Sequence, residues 1–298
     1  MKKYKSILVF ALSLILVSCG QDKPKNNKET KNEIQSETKT ETKTETISET
    51  KKEVKDSNHN GKAAAYAHDV VKIRELSEQK GYTGKKIAFL TFDDGPNHKI
   101  TPKILDVLKE KGVHATFFMP GKNIGKDTAD VVKRVYYEGH AIATHSYTHD
   151  YDVLYPKRCA IPEKVLEETQ KSEKNLKDIL GQNFKTRVFR YPGGHMSWKK
   201  DCLASADKLL EKNGYIWIDW NTMNGDAQRK NAGPNDISRP TNTKEVIANF
   251  EKSKGFTRNS DIAVILMHDA ADKQVTADAL GALIDHIKND GYEFGILE

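Results

Sequence analysis

The sequence predicts an α/β fold, a β/α barrel of about seven parallel strands in a single domain, from two observations. From Gly84 onward, short apolar runs alternate with helical patterns, which is typical of a parallel sheet. Polar residues also follow or close several of these runs, at the strand ends where barrel folds place their polar sites. Seven strands suit a closed or nearly closed barrel, and an open doubly wound sheet is the alternative.

Seven apolar runs of strand length define the predicted sheet. They cover residues 87–92, 115–119, 141–144, 188–190, 215–218, 262–267 and 292–297. Helical spacing lies between most of them, at residues 100–111, 129–138, 163–180, 199–213, 243–254 and 275–289. The sequence has neither a dinucleotide-binding glycine fingerprint nor a phosphate-binding loop, which disfavours nucleotide binding.

Residues 1–19 are similar to a bacterial export signal. Three lysines precede an almost unbroken apolar stretch, residues 7–17, that is short for a membrane span. It ends in Leu-Val-Ser-Cys, which resembles a lipobox, so we expect Cys19 to be lipidated and to become the first mature residue. The alternative is an ordinary signal peptide with an incidental cysteine.

Two segments separate this signal from the predicted domain, which covers residues 84–298. Residues 20–61 are rich in Lys, Glu, Thr and Asn, with a degenerate Glu-Thr-Lys-Thr repeat. Such a composition cannot bury enough apolar surface to offset chain entropy, so it predicts a disordered tether. Helical spacing over residues 62–80 predicts a lead-in helix within the segment 62–83.

Charge and cysteine content limit the partners of the chain. The net charge of +6 falls to +3 without Lys2, Lys3 and Lys5, which is too mild to indicate nucleic acid. Cys159 and Cys202 follow the predicted signal, and an exported protein permits a disulfide between them. The sequence leaves a bridge and two free thiols equally open.

Carboxylates and histidines stand in two motifs that suit a metal ion. Asp93 and Asp94 end the first predicted strand, and like charges this close are costly unless a cation lies between them. His145 and His149 are spaced so that both imidazoles can face one ion. Two histidines and one carboxylate leave open positions suited to zinc or a similar divalent ion. Alone, the motifs also fit an Asp-Gly turn and a chance spacing of histidines.

Four motifs occur in the order seen in the polysaccharide deacetylase family. They are Thr-Phe-Asp-Asp-Gly-Pro at 91–96, His-Ser-Tyr-Thr-His at 145–149, Arg-Tyr-Pro-Gly-Gly at 190–194 and Leu-Met-His-Asp at 266–269. The chain therefore resembles this family from about residue 86 to residue 297. The resemblance implies a metal-dependent carbohydrate esterase with a distorted seven-stranded β/α barrel.

The resemblance implies a first group of roles around one divalent metal ion. Asp94, His145 and His149 resemble the family's metal ligands. Asp93 resembles the general base that activates the attacking water, and Arg190 the arginine that orients this base. Zinc is the first choice of metal, and cobalt, nickel or manganese would fit the same ligands.

A second group of roles concerns the acetyl group and the leaving amine. The resemblance implies that the N–H of Tyr191 supports the developing oxyanion, that Leu266 borders the acetyl methyl, and that His268 is the general acid.

The fourth family motif is stretched in this chain. Family members carry an aspartate that tunes the acid histidine, followed by an aromatic that shapes the groove. We assign Asp219 and Trp220 to these roles, with Asp226 as the competing aspartate.

Together these features predict a membrane-tethered, extracytoplasmic N-deacetylase of an amino-sugar polymer of the cell envelope. Peptidoglycan is the first-choice substrate, as the lipid anchor and the resemblance to wall-modifying members both imply. Poly-N-acetylglucosamine exopolysaccharide and chitin oligomers come next, and acetylxylan would make the protein an esterase. A non-catalytic glycan-binding lipoprotein is the alternative from another class. We predict no nucleic acid or protein partner.

Overall fold

The computed structural model describes residues 57–231, 233 and 236–298 of the 298-residue chain. The predicted signal with Cys19, and residues 20–56 of the predicted tether, lie outside the described residues. Over the part of the chain that is described, no helix has the length and apolar character needed to cross a membrane.

Ten strands and eight α-helices make up the described chain. The strands are β1 (Ala67–His68), β2 (Ile87–Asp93), β3 (Ala115–Met119), β4 (Ala141–Thr144), β5 (Val188–Phe189), β6 (Ile216–Trp217), β7 (Thr222–Met223), β8 (Ile262–His268), β9 (Glu293–Phe294) and β10 (Ile296–Leu297). The helices are α1 (Val70–Glu78), α2 (Thr101–Lys111), α3 (Ala129–Tyr137), α4 (Tyr151–Leu154), α5 (Pro162–Leu180), α6 (Lys200–Lys212), α7 (Thr243–Lys254) and α8 (Gln274–Asn289).

A curled, parallel sheet at the centre confirms the predicted fold class. Its strands follow the order β6-β5-β4-β3-β2-β8-β7, and β9 pairs with β2 beside this path. Because β6 and β7 are the two edges, the sheet forms a half-barrel rather than a closed one. All its ladders are parallel, so the carboxyl ends of the strands meet at one end of the molecule.

Packing on both faces of the sheet explains why its central strands are apolar throughout. Six of the seven residues of β2 and of β8 are buried, and β3 is buried at every position. Helices cover the outer face, and Phe92 stacks on Phe117 beneath them with ring centroids 5.2 Å apart. Strands buried on two faces read as continuous apolar runs, which is the pattern in the sequence.

The structure departs from the predicted elements at the two ends of the domain. The predicted strand 292–297 is divided into β9 and β10 by Gly295, whose N–H donates to Ala88 O at 3.1 Å. A side chain at Gly295 would meet His68 and Phe89, so the backbone passes close to the barrel there. β10 then pairs with β1 instead of β2.

The lead-in segment is shorter as a helix than its spacing predicts. A 3-10 turn, Gly61–Ala65, and β1 precede α1, whose N-cap Asp69 accepts a hydrogen bond from Lys72 N. Residues before the turn also contact the domain, since Asn58 Nδ2 donates to Leu297 O at 2.9 Å.

A disulfide joins Cys159 to Cys202, with the two Cα atoms 5.3 Å apart. It links the segment between α4 and α5 to α6, and it answers the question that the sequence left open. Both connections lie on the carboxyl side of the strands that precede them, β4 and β5.

Candidate active site

The two carboxylates at the end of β2 face different partners. Asp93 is the last residue of the strand and is buried, whereas Asp94 is partly exposed and has a φ of +80°. The turn after them is fixed by Asp269, which accepts a hydrogen bond from Gly95 N at 2.8 Å. The turn therefore directs the two adjacent carboxylates toward different partners, so that each can have its own function.

Asp94, His145 and His149 form a cluster in which three ligand atoms lie within 4.8 Å of one another. Asp94 Oδ1 is 3.4 Å from His149 Nε2 and 3.8 Å from His145 Nε2. The Nδ1 of His145 contacts Arg190 O at 2.8 Å, which leaves Nε2 as the free ring nitrogen. Burial, followed by the neighbouring His149, lowers the pKa of His145 to about 3, so its ring is neutral, as a metal ligand must be.

These donors fit a divalent cation of the zinc type. Two imidazole nitrogens and one carboxylate oxygen converge from one side, and the Arg190 carbonyl fixes one ring from behind. The sequence prediction of this trio thus agrees with the geometry that the structure shows.

Glu168 of α5 stabilises the turn between the two histidines, a role that the sequence motifs did not predict. Its buried carboxylate accepts hydrogen bonds from Tyr147 N at 3.1 Å and from Thr148 N at 3.0 Å. It also accepts one from the Thr148 hydroxyl at 2.9 Å. Ser146 Oγ meanwhile accepts a hydrogen bond from His149 N. The turn therefore has its N–H groups satisfied from inside the protein.

Arg190 pairs with Asp93 in the interior. The guanidinium is fully buried and donates from Nη1 to Asp93 Oδ1 and to Thr91 Oγ1, both at 2.8 Å. Its Nε donates to Ile218 O, and its Cζ lies 3.9 Å from the ring centroid of Phe118. A buried carboxylate with such a partner has one orientation, as the predicted pairing requires.

The aspartate that contacts His268 is Asp226, so the prediction of Asp219 for this role was wrong. Asp226 Oδ1 lies 2.7 Å from His268 Nδ1, and its Oδ2 accepts a hydrogen bond from His268 N. Thr276 also donates to Asp226 at 2.6 Å. β7 explains the choice, because its register sets Met223 opposite Leu266 and so brings Asp226 beside His268.

This pairing changes the acid-base properties of His268. Burial alone would lower its pKa, but the charge of Asp226 and the hydrogen bond to it outweigh burial and raise the pKa to about 9. Burial alone would raise the pKa of Asp226, but the charge of His268 and the hydrogen bonds from His268 and Thr276 together outweigh burial and lower it. The ring is thus a cation at neutral pH. It stands beside Asp93 across the β2–β8 ladder.

Asp219 instead supports the loop after β5. Its carboxylate accepts a hydrogen bond from His195 N at 3.0 Å, and its carbonyl accepts one from Arg190 Nη2 at 3.1 Å. Burial raises the pKa of Asp219. Trp220, predicted for the groove, is partly exposed and lies against Gly194, with Arg190 5.6 Å from its ring.

Tyr191 lies in the loop after β5, and Leu266 lies in β8 two residues before His268. The hydroxyl of the buried Tyr191 donates to Asp207 at 2.9 Å, and within the described residues its backbone N–H makes no hydrogen bond. Leu266 is buried in β8 between Thr91 of β2 and Met223 of β7.

A second cluster of possible ligands, on the surface, differs in kind. Glu251, His286 and Asp290 lie close enough for an ion, but the Lys254 ammonium is 2.7 Å from both carboxylates. A lysine already fills the place of a cation there, and nothing else at this cluster points to a ligand.

Comparisons with known proteins agree with this geometry. The polysaccharide deacetylase family model matches residues 80–212. YheN of Bacillus subtilis, whose name assigns it to the polysaccharide deacetylases, is 36% identical over 74% of this chain and 70% of its own. A peptidoglycan-N-acetylglucosamine deacetylase of Bacillus cereus is 33% identical over 70% of this chain and 68% of its own.

Among solved structures, a CE4 esterase of Streptococcus mutans is similar with a TM-score of 0.74 and 41% identity, covering 81% of this chain and 96% of that one. The shared fold, the shared sequence and the clustered motif residues lead to one conclusion. The chain belongs to the polysaccharide deacetylase family.

Proposed function

We propose that the protein is a metal-dependent N-deacetylase that removes acetyl groups from N-acetylglucosamine residues of a cell-envelope polysaccharide, with peptidoglycan as its first substrate. The observation that carries this proposal is the register of β2 and β8, which pairs Asp93 with His268. A buried carboxylate and a histidine cation thereby stand on adjacent strands beside the three ligand side chains.

Amide hydrolysis needs a nucleophile, charge stabilisation at the tetrahedral carbon and a proton for the leaving amine. Asp93 accepts a proton from the attacking water, and Arg190 keeps its carboxylate in place. The water oxygen bonds to the acetyl carbon, and the C–N bond breaks as His268 transfers its proton to the nitrogen. The products are acetate and a free amine on the sugar.

Charge that develops on the acetyl oxygen would meet the backbone N–H of Tyr191. Such a donor contributes about 3–4 kcal/mol when it is aimed at the oxyanion. Leu266 supplies apolar surface for the methyl group. Asp94, His145 and His149 would hold the divalent ion, which polarises the acetyl carbonyl and lowers the pKa of water. Zinc is our first choice because its usual ligands are of these types.

Names of relatives support the substrate. The Bacillus cereus relative, which matches this chain over 68% of its own length, is named as a peptidoglycan-N-acetylglucosamine deacetylase. A lipid anchor at Cys19 and an extracytoplasmic location would bring the domain to that polymer. Mass spectrometry of the mature N-terminus tests the anchor, and an unmodified Cys19 or cleavage elsewhere would exclude it.

Acetate release by the full chain tests the activity. Peptidoglycan, chitin oligomers, poly-N-acetylglucosamine and acetylated xylan are offered in parallel, each with chelator and with zinc restored. We expect acetate from peptidoglycan, its loss with chelator and its return with zinc. Release from xylan alone would mean ester hydrolysis. No release from any polymer, together with equal glycan binding with and without chelator, would indicate a binding protein instead.

A further inference from the structure

Exposed apolar side chains are concentrated beside the active site. In the described part of the chain, six large hydrophobic residues are exposed, and four of them lie in the segments that follow β4 and β5. These four are Tyr151, Val153, Ile161 and Met196. Exposed apolar side chains in loops beside a site are candidates for ligand contacts.

One of the four, Tyr151, lies against Trp198. We call Tyr151 and Trp198 the aromatic rim. Trp198 stacks on Tyr155 with ring centroids 3.9 Å apart and meets the edge of Tyr151 at 5.1 Å. Its Nε1 donates to Pro192 O at 3.0 Å. Trp198 is therefore fixed in place, and it supports the more exposed Tyr151 from behind.

The rim is continuous with the metal cluster. The Tyr151 ring lies 5.5 Å from the ring of His149. Gly193 has a φ of +77°, and a side chain there would meet the Tyr151 hydroxyl at 3.1 Å and Trp198 at 3.2 Å. The glycine lets both rings approach the loop that carries the Tyr191 N–H.

The segments that follow β4 and β5 are also linked to each other, so the position of the rim does not depend on either segment alone. The Cys159–Cys202 disulfide joins them, and Lys199 N donates to Arg158 O at 2.9 Å. Asp150 fixes the backbone of Tyr151 from the other side by accepting hydrogen bonds from Asp152 N and Val153 N. A ring held this firmly can bind a ligand with little loss of side-chain entropy.

From these contacts we propose that the aromatic rim is a binding subsite for a pyranose ring of the polymer, next to the sugar whose acetamide lies at the metal cluster. This rests on the proposed function. Tyr151 would stack on the apolar C–H face of that sugar, and its hydroxyl, which has no hydrogen-bond partner among the described residues, would contact the sugar's edge. Continuity with the catalytic centre favours a sugar over any other occupant.

A subsite for a neighbouring sugar predicts that the KM effect of removing Tyr151 grows with the length of the substrate oligomer. A purely structural role of Tyr151 would not produce this dependence. We expect Tyr151→Ala to raise the KM for an N-acetylglucosamine pentamer about tenfold, with kcat and bound zinc unchanged and the dimer affected less. Tyr151→Phe should keep most of the affinity. Tyr137→Ala, which removes an equally exposed tyrosine from α3, is the matched control and should behave as wild type.

Steady-state kinetics on dimer and pentamer, with zinc content measured for each variant, make the test. An unchanged KM in Tyr151→Ala, an equal rise in Tyr137→Ala, or a fall in kcat together with zinc loss would overturn the subsite. Pentamer binding to the chelator-treated full chain, measured by calorimetry, keeps the test independent of turnover. There, absent binding or equal affinities of wild type and Tyr151→Ala would also overturn it, whatever the fate of the proposed activity.

Discussion

Two pairs of histidines lie at opposite ends of the parallel sheet. His114 and His140 precede β3 and β4, whereas His145 and His149 follow β4. The ring centroids are 5.5 Å apart in the first pair and 4.9 Å apart in the second. Burial is the main cause that lowers the pKa of both His140 and His145 to about 3. Burial and the lowered pKa therefore do not distinguish His140 from His145.

The partners of the rings separate them. His140 Nδ1 accepts a hydrogen bond from Ala115 N at 3.2 Å, and His114 stacks on Tyr66 at 4.0 Å. The second pair turns ring nitrogens toward Asp94, with His149 Nε2 at 3.4 Å. A histidine whose ring meets backbone and aromatic neighbours supports the fold, and one whose free nitrogen faces a carboxylate can bind a cation.

The largest effect should come from removing the two proton-transfer groups at the carboxyl end. We expect Asp93→Asn and His268→Ala each to lower the turnover of acetylated substrate by about 10²–10⁴-fold, since each removes one acid-base step. His286→Ala, a surface histidine on α8, is the control. Acetate release and thermal unfolding should be measured together, and near-normal turnover in either variant would refute its assigned role.

A smaller effect is expected from Glu168, which supports the metal turn without contacting the ligand atoms. Glu168→Gln keeps the size of the side chain but replaces one acceptor oxygen with a donor opposite Tyr147 N and Thr148 N. We expect the Kd for zinc to rise about 10–100-fold, as for other groups that position ligands. Glu167→Gln, at an exposed neighbour paired with Lys164, should leave it unchanged. Equal zinc affinities in both variants would show that the turn needs no carboxylate.

Much of the carboxyl end could be predicted because its residues follow strands that leave a clear pattern. β2 and β8 are long and apolar, so Asp93, Asp94 and His268 were placed at their ends by position alone. The family motifs then supplied roles for His145 and Arg190, and the structure brings all five together.

The rest depended on contacts that the sequence does not encode locally. β7 has only two residues, too few for a pattern, and it is this strand that sets Asp226 rather than Asp219 beside His268. Glu168 was hidden among other glutamates of α5, although it shares a buried face with Val165 and Ser172 at helical spacing. That spacing was the signal that could have found it.

Because His268 contacts Asp226 rather than Asp219, the pH dependence of activity should shift in a defined direction when Asp226 is replaced. His268 has a folded pKa of about 9, so it should stay protonated through neutral pH and lose its proton as pH rises through about 9. Asp226→Asn removes the opposing charge, and we expect the alkaline limb of kcat/KM to move about 1–3 pH units toward acid. Asp219→Asn should leave that limb in place, because its carboxylate contacts His195 N. A shift in the Asp219 variant alone would restore the original assignment.

The smallest effect on function should come from His114 and His140, the pair at the amino ends of β3 and β4. A variant of this pair tests most directly whether the two histidine pairs have different roles. His140→Ala leaves Ala115 N–H without its acceptor, at a cost of about 1–3 kcal/mol in the free energy of unfolding. Zinc affinity and turnover should stay as in wild type, since the site lies at the other strand end. His145→Ala, by contrast, should abolish zinc binding, because it removes one of the three ligand side chains.

The pH dependence of stability sharpens this contrast. Because the folded pKa of His140 is lowered to about 3 from an ordinary 6.5, its contribution to stability is complete above about pH 6.5 and is lost as pH falls toward 3. His140→Ala should therefore flatten the loss of stability over that range. Denaturant unfolding of the metal-free chain at several pH values measures it. An unchanged slope, or a fall in zinc affinity, would mean that the two histidine pairs are not divided between fold and chemistry as their partners indicate.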